Sequence, residues 1–312
     1  VFGPVPSRRL GRSLGVNLVP LKTCDYNCVY CQLGRTTNYT ITRREWVPRY
    51  EVLNEIINAL EGKLELIDYL TFIGDGEPLL NSSIGWLIDR VRELFGSSVR
   101  IAVWSNGSLL INDSVRSEVL DADVVKVTLD AGDERTYELI NRPYPTLKLH
   151  DVVNSFSEFR RVFEGNLWVE VMLVNNLNDS VIQAEYIGKL LKDVRPDKVH
   201  ITVPTRPPTE EWVRPPPSIK LIRVCRVIRR YVSNVEILPL YEGSDFVISD
   251  LSNVVNELLS IIKVHPMRKD QLINILSRFN LSIDDVINEL TSRGVVIVEY
   301  EGKEFLVFRG NA

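Results

Sequence analysis

Cys24-Asp25-Tyr26-Asn27-Cys28-Val29-Tyr30-Cys31 gathers three of the four cysteines of the chain, while the fourth, Cys225, lies far along the sequence. The C-x3-C-x2-C spacing, with an aromatic just before the last cysteine, points to a metal cluster held by three thiolates. A [4Fe–4S] cube has four irons and thiolates as its usual ligands. A loop supplying three leaves one iron open to a small molecule, and an open coordination position is what a catalytic metal needs. Disulfides are disfavoured, since cysteines this close outside a secreted framework more often bind metal. A zinc site completed by Cys225, His150, His200 or His265 is the alternative.

The loop sits in a regular frame. Leu14–Pro20 reads as a buried strand ending just before the first cysteine, and Pro48–Glu61 as a helix with one apolar face. Asp68–Gly74, Val99–Ser105, Val124–Leu129, Leu167–Val174 and Lys198–Val203 read as further strands. Helical stretches near Ile84–Phe95, Val115–Leu120, Leu147–Phe163, Val181–Val194 and Ile219–Tyr231 separate or follow them, and Val235–Leu238 comes last. Six strand–helix units in a row imply a parallel sheet with helices outside. Six units, where a closed barrel has eight, predict an α/β fold of partial (β/α)6 barrel type, whose ligands collect at the carboxyl ends of the strands.

Polar motifs stand at those ends. Gly74-Asp75-Gly76-Glu77-Pro78 follows the second strand. Its glycines allow a sharp turn and close backbone approach, and its carboxylates and carbonyls accept bonds from an ammonium group. A plain βα turn is the competing reading. Ser105-Asn106-Gly107 follows the third strand with donors and acceptors suited to hydroxyls or a carboxylate. The fourth strand carries Lys126, Thr128 and Asp130, which alternation places on one face. A Lys and an Asp in an apolar strand need a partner or a polar pocket, so a purely structural Lys–Asp pair competes with a ligand role.

Together these motifs resemble the radical S-adenosylmethionine superfamily. The resemblance implies that Cys24, Cys28 and Cys31 hold a [4Fe–4S] cluster whose open iron chelates the amino and carboxylate groups of S-adenosylmethionine. Reductive cleavage would then give methionine and a 5′-deoxyadenosyl radical, with a ferredoxin or flavodoxin as electron donor. The turn at Gly74–Pro78 is similar to the G-G-E-P motif that grips the methionyl amino group, with Asp75 as a departure. Ser105, Asn106, Lys126, Thr128 and Asp130 stand where ribose and carboxylate contacts are made, and Tyr30 where an aromatic packs near adenine. Val171–Asn176, at the fifth strand, lacks the glycines usual for adenine binding, so those residues stay unassigned.

Gly3-Pro4-Val5-Pro6-Ser7-Arg8-Arg9-Leu10-Gly11, Leu129–Asp133 and Thr205–Pro208 resemble the branch grouped with tRNA wyosine synthetases. Those enzymes carry a second cluster on upstream cysteines; here none precedes Cys24, which predicts a single-cluster member. Cys225, on an amphipathic helix, reads as a buried thiol.

The tail differs in kind. Val254–Ile262, Arg268–Phe279 and Ser282–Arg293 read as helices, and Val295–Tyr300 and Phe305–Phe308 as a hairpin around Glu301-Gly302-Lys303, the outline of a winged helix. The predicted domains are residues 1–241 and 251–312, joined by a linker over 242–250. From Leu251 on, seven bases face eight acids, and the second of the paired helices carries Asp284, Asp285 and Glu289. That is a poor surface for phosphates and a better one for docking on the barrel or on a protein.

The 312 residues carry a net charge of −4, which argues against generic nucleic-acid binding. Residues 1–50, however, hold eight bases against two acids and would draw an anionic substrate toward the loop. Lys220, Arg223, Arg226 and Arg230, with Arg206 and Arg214, would form a basic rim, or simply a solvated helix face. No apolar stretch approaches the ~20 residues that cross a membrane, and a labile cluster predicts a reducing, cytoplasmic setting. The expected activity is modification of an anionic substrate, a tRNA base first. Activation of a partner protein is the second reading, and a metal-bearing nucleic-acid-binding regulator the third.

Overall fold

In the computed structural model of the chain, residues 1–62, 64–238, 246, 253–279 and 281–310 are described. One sheet of eight strands organises the larger part, in the order of the sequence. These are β1 (Phe2–Ser7), β2 (Gly11–Asn17), β3 (Tyr69–Ile73), β4 (Ile101–Trp104), β5 (Val124–Thr128), β6 (Asn166–Met172), β7 (Lys198–Thr202) and β8 (Val235–Ile237). From β2 to β8 every neighbouring pair is parallel, whereas β1 runs antiparallel along β2. The sheet ends at β1 and β8 and stays open. The fold is the expected α/β arrangement, with one strand more on each side of the six.

The strands read as near-continuous runs because helices cover one face and the barrel interior takes the other. Along β5, Val125 and Val127 are fully buried toward the helices, while Lys126 and Thr128 turn inward. The covering helices are α1 (Arg49–Leu60), α2 (Ile84–Phe95), α3 (Asp113–Glu118), α4 (Glu134–Ile140), α5 (Leu149–Val162), α6 (Val181–Val194) and α7 (Ser218–Ile228). Helix α2 shows the logic: Ile84, Leu87, Ile88 and Val91 recur at helical spacing and are wholly buried. Each such side chain contributes about 1.5–3 kcal/mol. Cys225 lies buried on α7 as a free thiol within the same core.

Strand β1 and helix α4 of the larger part, and the short strand Met267–Arg268 of the C-terminal part, are absent from the sequence reading. Strand β1 is hidden by Pro4 and Pro6, which cannot donate to a ladder and are tolerated here because the strand is an edge. Helix α4 is short, and its start is marked by the Asp133 side chain accepting from Thr136 N at 2.9 Å.

The C-terminal part follows the expected order with its own core, including Leu258, Ile262, Leu272, Ile275 and Leu290. It comprises α8 (Val254–Val264), β9 (Met267–Arg268), α9 (Lys269–Ser277), α10 (Ile283–Ser292), β10 (Val295–Tyr300) and β11 (Lys303–Phe308). The strands pair antiparallel in the order β9-β11-β10. The predicted linker over 242–250 lies outside the described residues, Phe246 apart. This part docks on the barrel. Gln32 Nε2 donates to Val264 O at 3.0 Å, Arg206 Nε to Pro266 O at 3.2 Å, and Arg214 pairs with Glu301 at 3.4 Å.

Candidate active site

Three loops at the carboxyl ends of β2, β3 and β4 are fastened to one another. Lys22 N donates to Asp75 O at 2.6 Å, and Glu77 N to Thr23 O at 3.0 Å. Between those bonds a Cβ on Gly76 would lie 1.7 Å from Thr23 O, so glycine is required where the two backbones cross. The cysteine loop is further held from below by α4: Val29 N donates to Ile140 O at 2.9 Å, and Asn27 N to Asn141 O at 3.0 Å. Asn141 Nδ2 also points its donor at Cys28 Sγ, 3.6 Å away. Cys24, Cys28 and Cys31 are all free and all line one cavity of about 370 Å³.

The polar residues of the motifs are partly consumed in this fastening. Glu77 is buried, its Oε1 accepting from Leu79 N at 2.9 Å and Ser105 Oγ at 2.7 Å, and its Oε2 from Asn106 N at 2.8 Å. Asn106 Nδ2 donates to Asp25 at 2.6 Å, and Ser108 Oγ donates to the other oxygen of the same carboxylate. Gly107 turns the chain there with φ +85°. Burial, reinforced by Asp25, pushes Glu77 up to about 8. Asp25, which the sequence reading passed over inside the cysteine loop, thus ties the first motif to the third.

Twelve of the expected site residues line the cavity: the three cysteines, Tyr30, Gly74, Asp75, Gly76, Glu77, Ser105, Asn106, Lys126 and Thr128. Two do not. Pro78 is buried at the start of the short turn Pro78–Leu80. Asp130 lies beyond the last residue of β5, where strand alternation no longer sets direction, and sits under Tyr30. Its carboxylate accepts from the Tyr30 hydroxyl, from Asn141 Nδ2 at 2.7 Å and from Met172 N at 2.7 Å. Lys126 and Asp130 are therefore not a pair; Lys126 acts instead on the carboxylate of Glu170.

Asp75 keeps one oxygen in reserve. Its Oδ2 accepts from Asn17 Nδ2 at 2.8 Å, but Oδ1 is buried with no partner among the described residues. Burial pushes this carboxyl up to about 6.

The cavity floor contains residues that carried no motif. Arg9 pairs with Glu170, with side chains about nine-tenths buried. Burial alone would raise the Glu170 carboxyl, but Arg9, Lys126 and Arg8 outweigh it and hold it down at about 2. Burial, then Arg9, push His200 down to about 4, so this imidazole is neutral at pH 7. Both folded values lie below the unfolded ones of 4.5 and 6.5. Both groups therefore add stability at neutral pH that is lost on acidification, His200 between about 6.5 and 4 and Glu170 between about 4.5 and 2. Glu77 and Asp75, pushed up to about 8 and about 6, oppose this by gaining stability as they protonate. Denaturant titrations of wild type and His200→Leu therefore isolate the imidazole: the variant should lose less stability, or gain more, between about pH 6.5 and 4, and an unchanged slope there would contradict a neutral buried His200.

The radical SAM superfamily profile matches residues 18–186, spanning the cysteine loop, both polar turns and the polar residues of β5. The chain belongs to the radical SAM superfamily. Over 97% of its length it is 36% identical to a UPF0026 protein of Methanocaldococcus jannaschii, covering 94% of that protein. The fold is similar to a radical SAM methyltransferase from Sphaerobacter thermophilus (TM-score 0.56, 18% identity, 72% of this chain and 65% of that one). It is also similar to Streptococcus suis SuiB bound to S-adenosylmethionine (TM-score 0.54, 14% identity, 73% of this chain and 51% of that one). The protein is thus a radical SAM enzyme, and the family implies S-adenosylmethionine and an iron–sulfur cluster.

The residues fit both groups. Burial pushes all three thiols above their ordinary range, so a cationic metal is what would keep them as thiolates. Among the described residues no three His, Cys, Asp or Glu side chains converge as ligands of one metal ion. Cys225, the fourth thiol, is buried on α7 in the core. The orphaned Asp75 oxygen is the acceptor an ammonium group would satisfy. Among the described residues no helix is long and apolar enough to cross a membrane.

Proposed function

We propose that this protein reductively cleaves S-adenosylmethionine at a single [4Fe–4S] cluster and uses the resulting radical to modify an anionic substrate. The observation that carries the reading is the opening of three free thiols of one loop onto the cavity that holds the Gly74–Glu77 turn, Ser105 and Asn106. When bound, the cluster supplies one electron at low potential to the sulfonium, taken from a ferredoxin or flavodoxin. Cys24, Cys28 and Cys31 would hold it. The Asp75 carboxylate and the Gly74–Glu77 backbone would accept from the methionyl ammonium, and Thr128, at the end of β5, would face the cofactor's ribose and carboxylate, with Lys126 one step deeper in the cavity. Glu77, Ser105 and Asn106 act mainly by locking the loops, since most of their bonds run within the protein. Tyr30, fixed by Asp130, presents its ring to the cavity as an adenine wall.

Support for an anionic substrate narrows on inspection. Of the bases in residues 1–50, Arg12, Arg35, Arg43 and Arg49 pair with Asp68, Glu210, Glu118 and Glu45. Arg8 and Arg9 instead line the cavity. On the expected rim, Lys220 and Arg230 pair with Asp179 and Glu185. The branch resemblance makes a tRNA base the first candidate. The C-terminal part, read as a winged helix, would serve it by docking on the barrel, where Val264 and His265 complete the cavity wall.

Anaerobic reconstitution followed by assay of 5′-deoxyadenosine tests the proposal. We expect brown protein absorbing near ~400 nm and cofactor cleavage stimulated by one fraction of a cell extract. Stimulation surviving ribonuclease would remove the tRNA candidate. Bound zinc without colour would remove the cluster.

A further inference from the structure

The cavity floor has a chemistry that cofactor binding does not use. Arg8 and Arg9 enter from the turn between β1 and β2, Lys126 from β5 and Glu170 from β6. Arg9 and Lys126 thus meet the carboxylate of Glu170 at the cavity floor, with Arg8 beside them. Among the described residues the neighbouring layer adds no net charge. His200, behind Glu170, is neutral, and Lys198 pairs with Glu236 at 3.5 Å on the far side. Arg9 Nε is buried with no hydrogen-bond partner among the described residues. An unsatisfied buried guanidinium donor is costly unless something accepts from it.

Lys126 and Glu170 each lie two residues, about 7 Å, below the carboxyl ends of β5 and β6. The register sets Thr128 beside Glu170 and Lys126 beside Trp168, so the floor begins where Thr128 would face the cofactor and continues beneath it. Below it, Leu10, Tyr69, Ala102, Val124 and Trp168 plug the interior. A group reaching Arg9 from the cysteine loop must pass through the cavity, and it must be small.

We propose that Arg9, with Arg8 and Lys126, forms a subsite for a terminal oxyanion, a carboxylate or phosphate monoester, of the substrate. The inference rests on the radical SAM reading of the upper cavity and deepens it. A bidentate guanidinium contact would hold the substrate by its charged end and leave the body of the molecule beneath the cofactor. Glu170 orients Arg9 and offsets the repulsion between Arg9 and Lys126 while the floor is empty.

The test is calorimetric titration of the full chain with inorganic phosphate and, in parallel, acetate, with and without saturating S-adenosylmethionine. We expect one bound anion per chain, insensitive to S-adenosylmethionine, with either preference supporting the subsite and naming the substrate's charged group. Glu170→Gln removes the competing carboxylate and is expected to tighten binding about tenfold, since a charged hydrogen-bond partner is worth that much. Arg9→Gln leaves Glu170 buried alone and risks misfolding, so Arg9→Gln/Glu170→Gln is the companion; it should lose at least the tenfold gained. An unchanged affinity in Glu170→Gln, no binding at all, or displacement of the anion by S-adenosylmethionine would overturn the subsite. Cofactor cleavage without anion binding defeats this inference alone. Anion binding by a protein that never cleaves the cofactor defeats the proposed function and leaves the floor without a substrate role.

Discussion

Replacing Cys28 by alanine is expected to abolish formation of 5′-deoxyadenosine while the protein stays folded. The loss should be a thousandfold or more, equivalent to at least about 4 kcal/mol of transition-state stabilisation. Two thiolates from one loop leave a cube with two unheld irons, and the cluster should fail to assemble, with loss of absorbance near ~400 nm. Folding should survive because the loop is carried by backbone bonds such as Val29 N to Ile140 O, which do not involve the thiol. Cys225→Ala is the control. That thiol lies in the core on α7, so its removal should cost about 1–2 kcal/mol of stability and leave the cluster intact. Circular dichroism, iron content and product assay on both variants separate the outcomes. A Cys28→Ala protein with full cofactor turnover would contradict the ligand assignment.

Gly76→Ala should be a severely damaging single methyl. The added carbon would stand 1.7 Å from Thr23 O and 2.4 Å from Thr23 C, both backbone atoms that no rotamer change can move. Relief requires the β3 turn and the start of the cysteine loop to part, breaking the bonds from Lys22 N and Glu77 N. We expect a loss of about 2–3 kcal/mol in denaturant unfolding, since overpacking against rigid neighbours costs that much. Cofactor affinity should fall more than stability alone explains, because the same movement displaces Asp75 and Cys24. An alanine variant with wild-type stability and cofactor binding would show that the two loops are not braced as described.

Much of the candidate site was legible because its motifs are unusual residues in short, local patterns. Three cysteines in one loop, GDGEP and SNG are readable without tertiary information, and strand–helix alternation then places each at a strand end. What escaped was long-range. Asp25 gains its role only when Asn106 and Ser108 arrive from another loop. Arg9 and Glu170 meet across 161 residues, and nothing local marks either as a partner. Strand β1 was masked by prolines whose cost vanishes at a sheet edge, and Asp130 was placed in the cavity by extending strand alternation two residues past the strand. The basic character of residues 1–50 was visible as a sum, but a sum cannot tell arginines paired at the surface from the two that line the cavity.

The most direct measurement is electron paramagnetic resonance of the reconstituted, dithionite-reduced protein before and after adding S-adenosylmethionine. The account expects the signal of one [4Fe–4S] cluster per chain, with g-values that shift on addition because the vacant iron takes up the amino acid end of the cofactor. A signal indifferent to S-adenosylmethionine, or a protein that binds zinc and gives no signal, would contradict it.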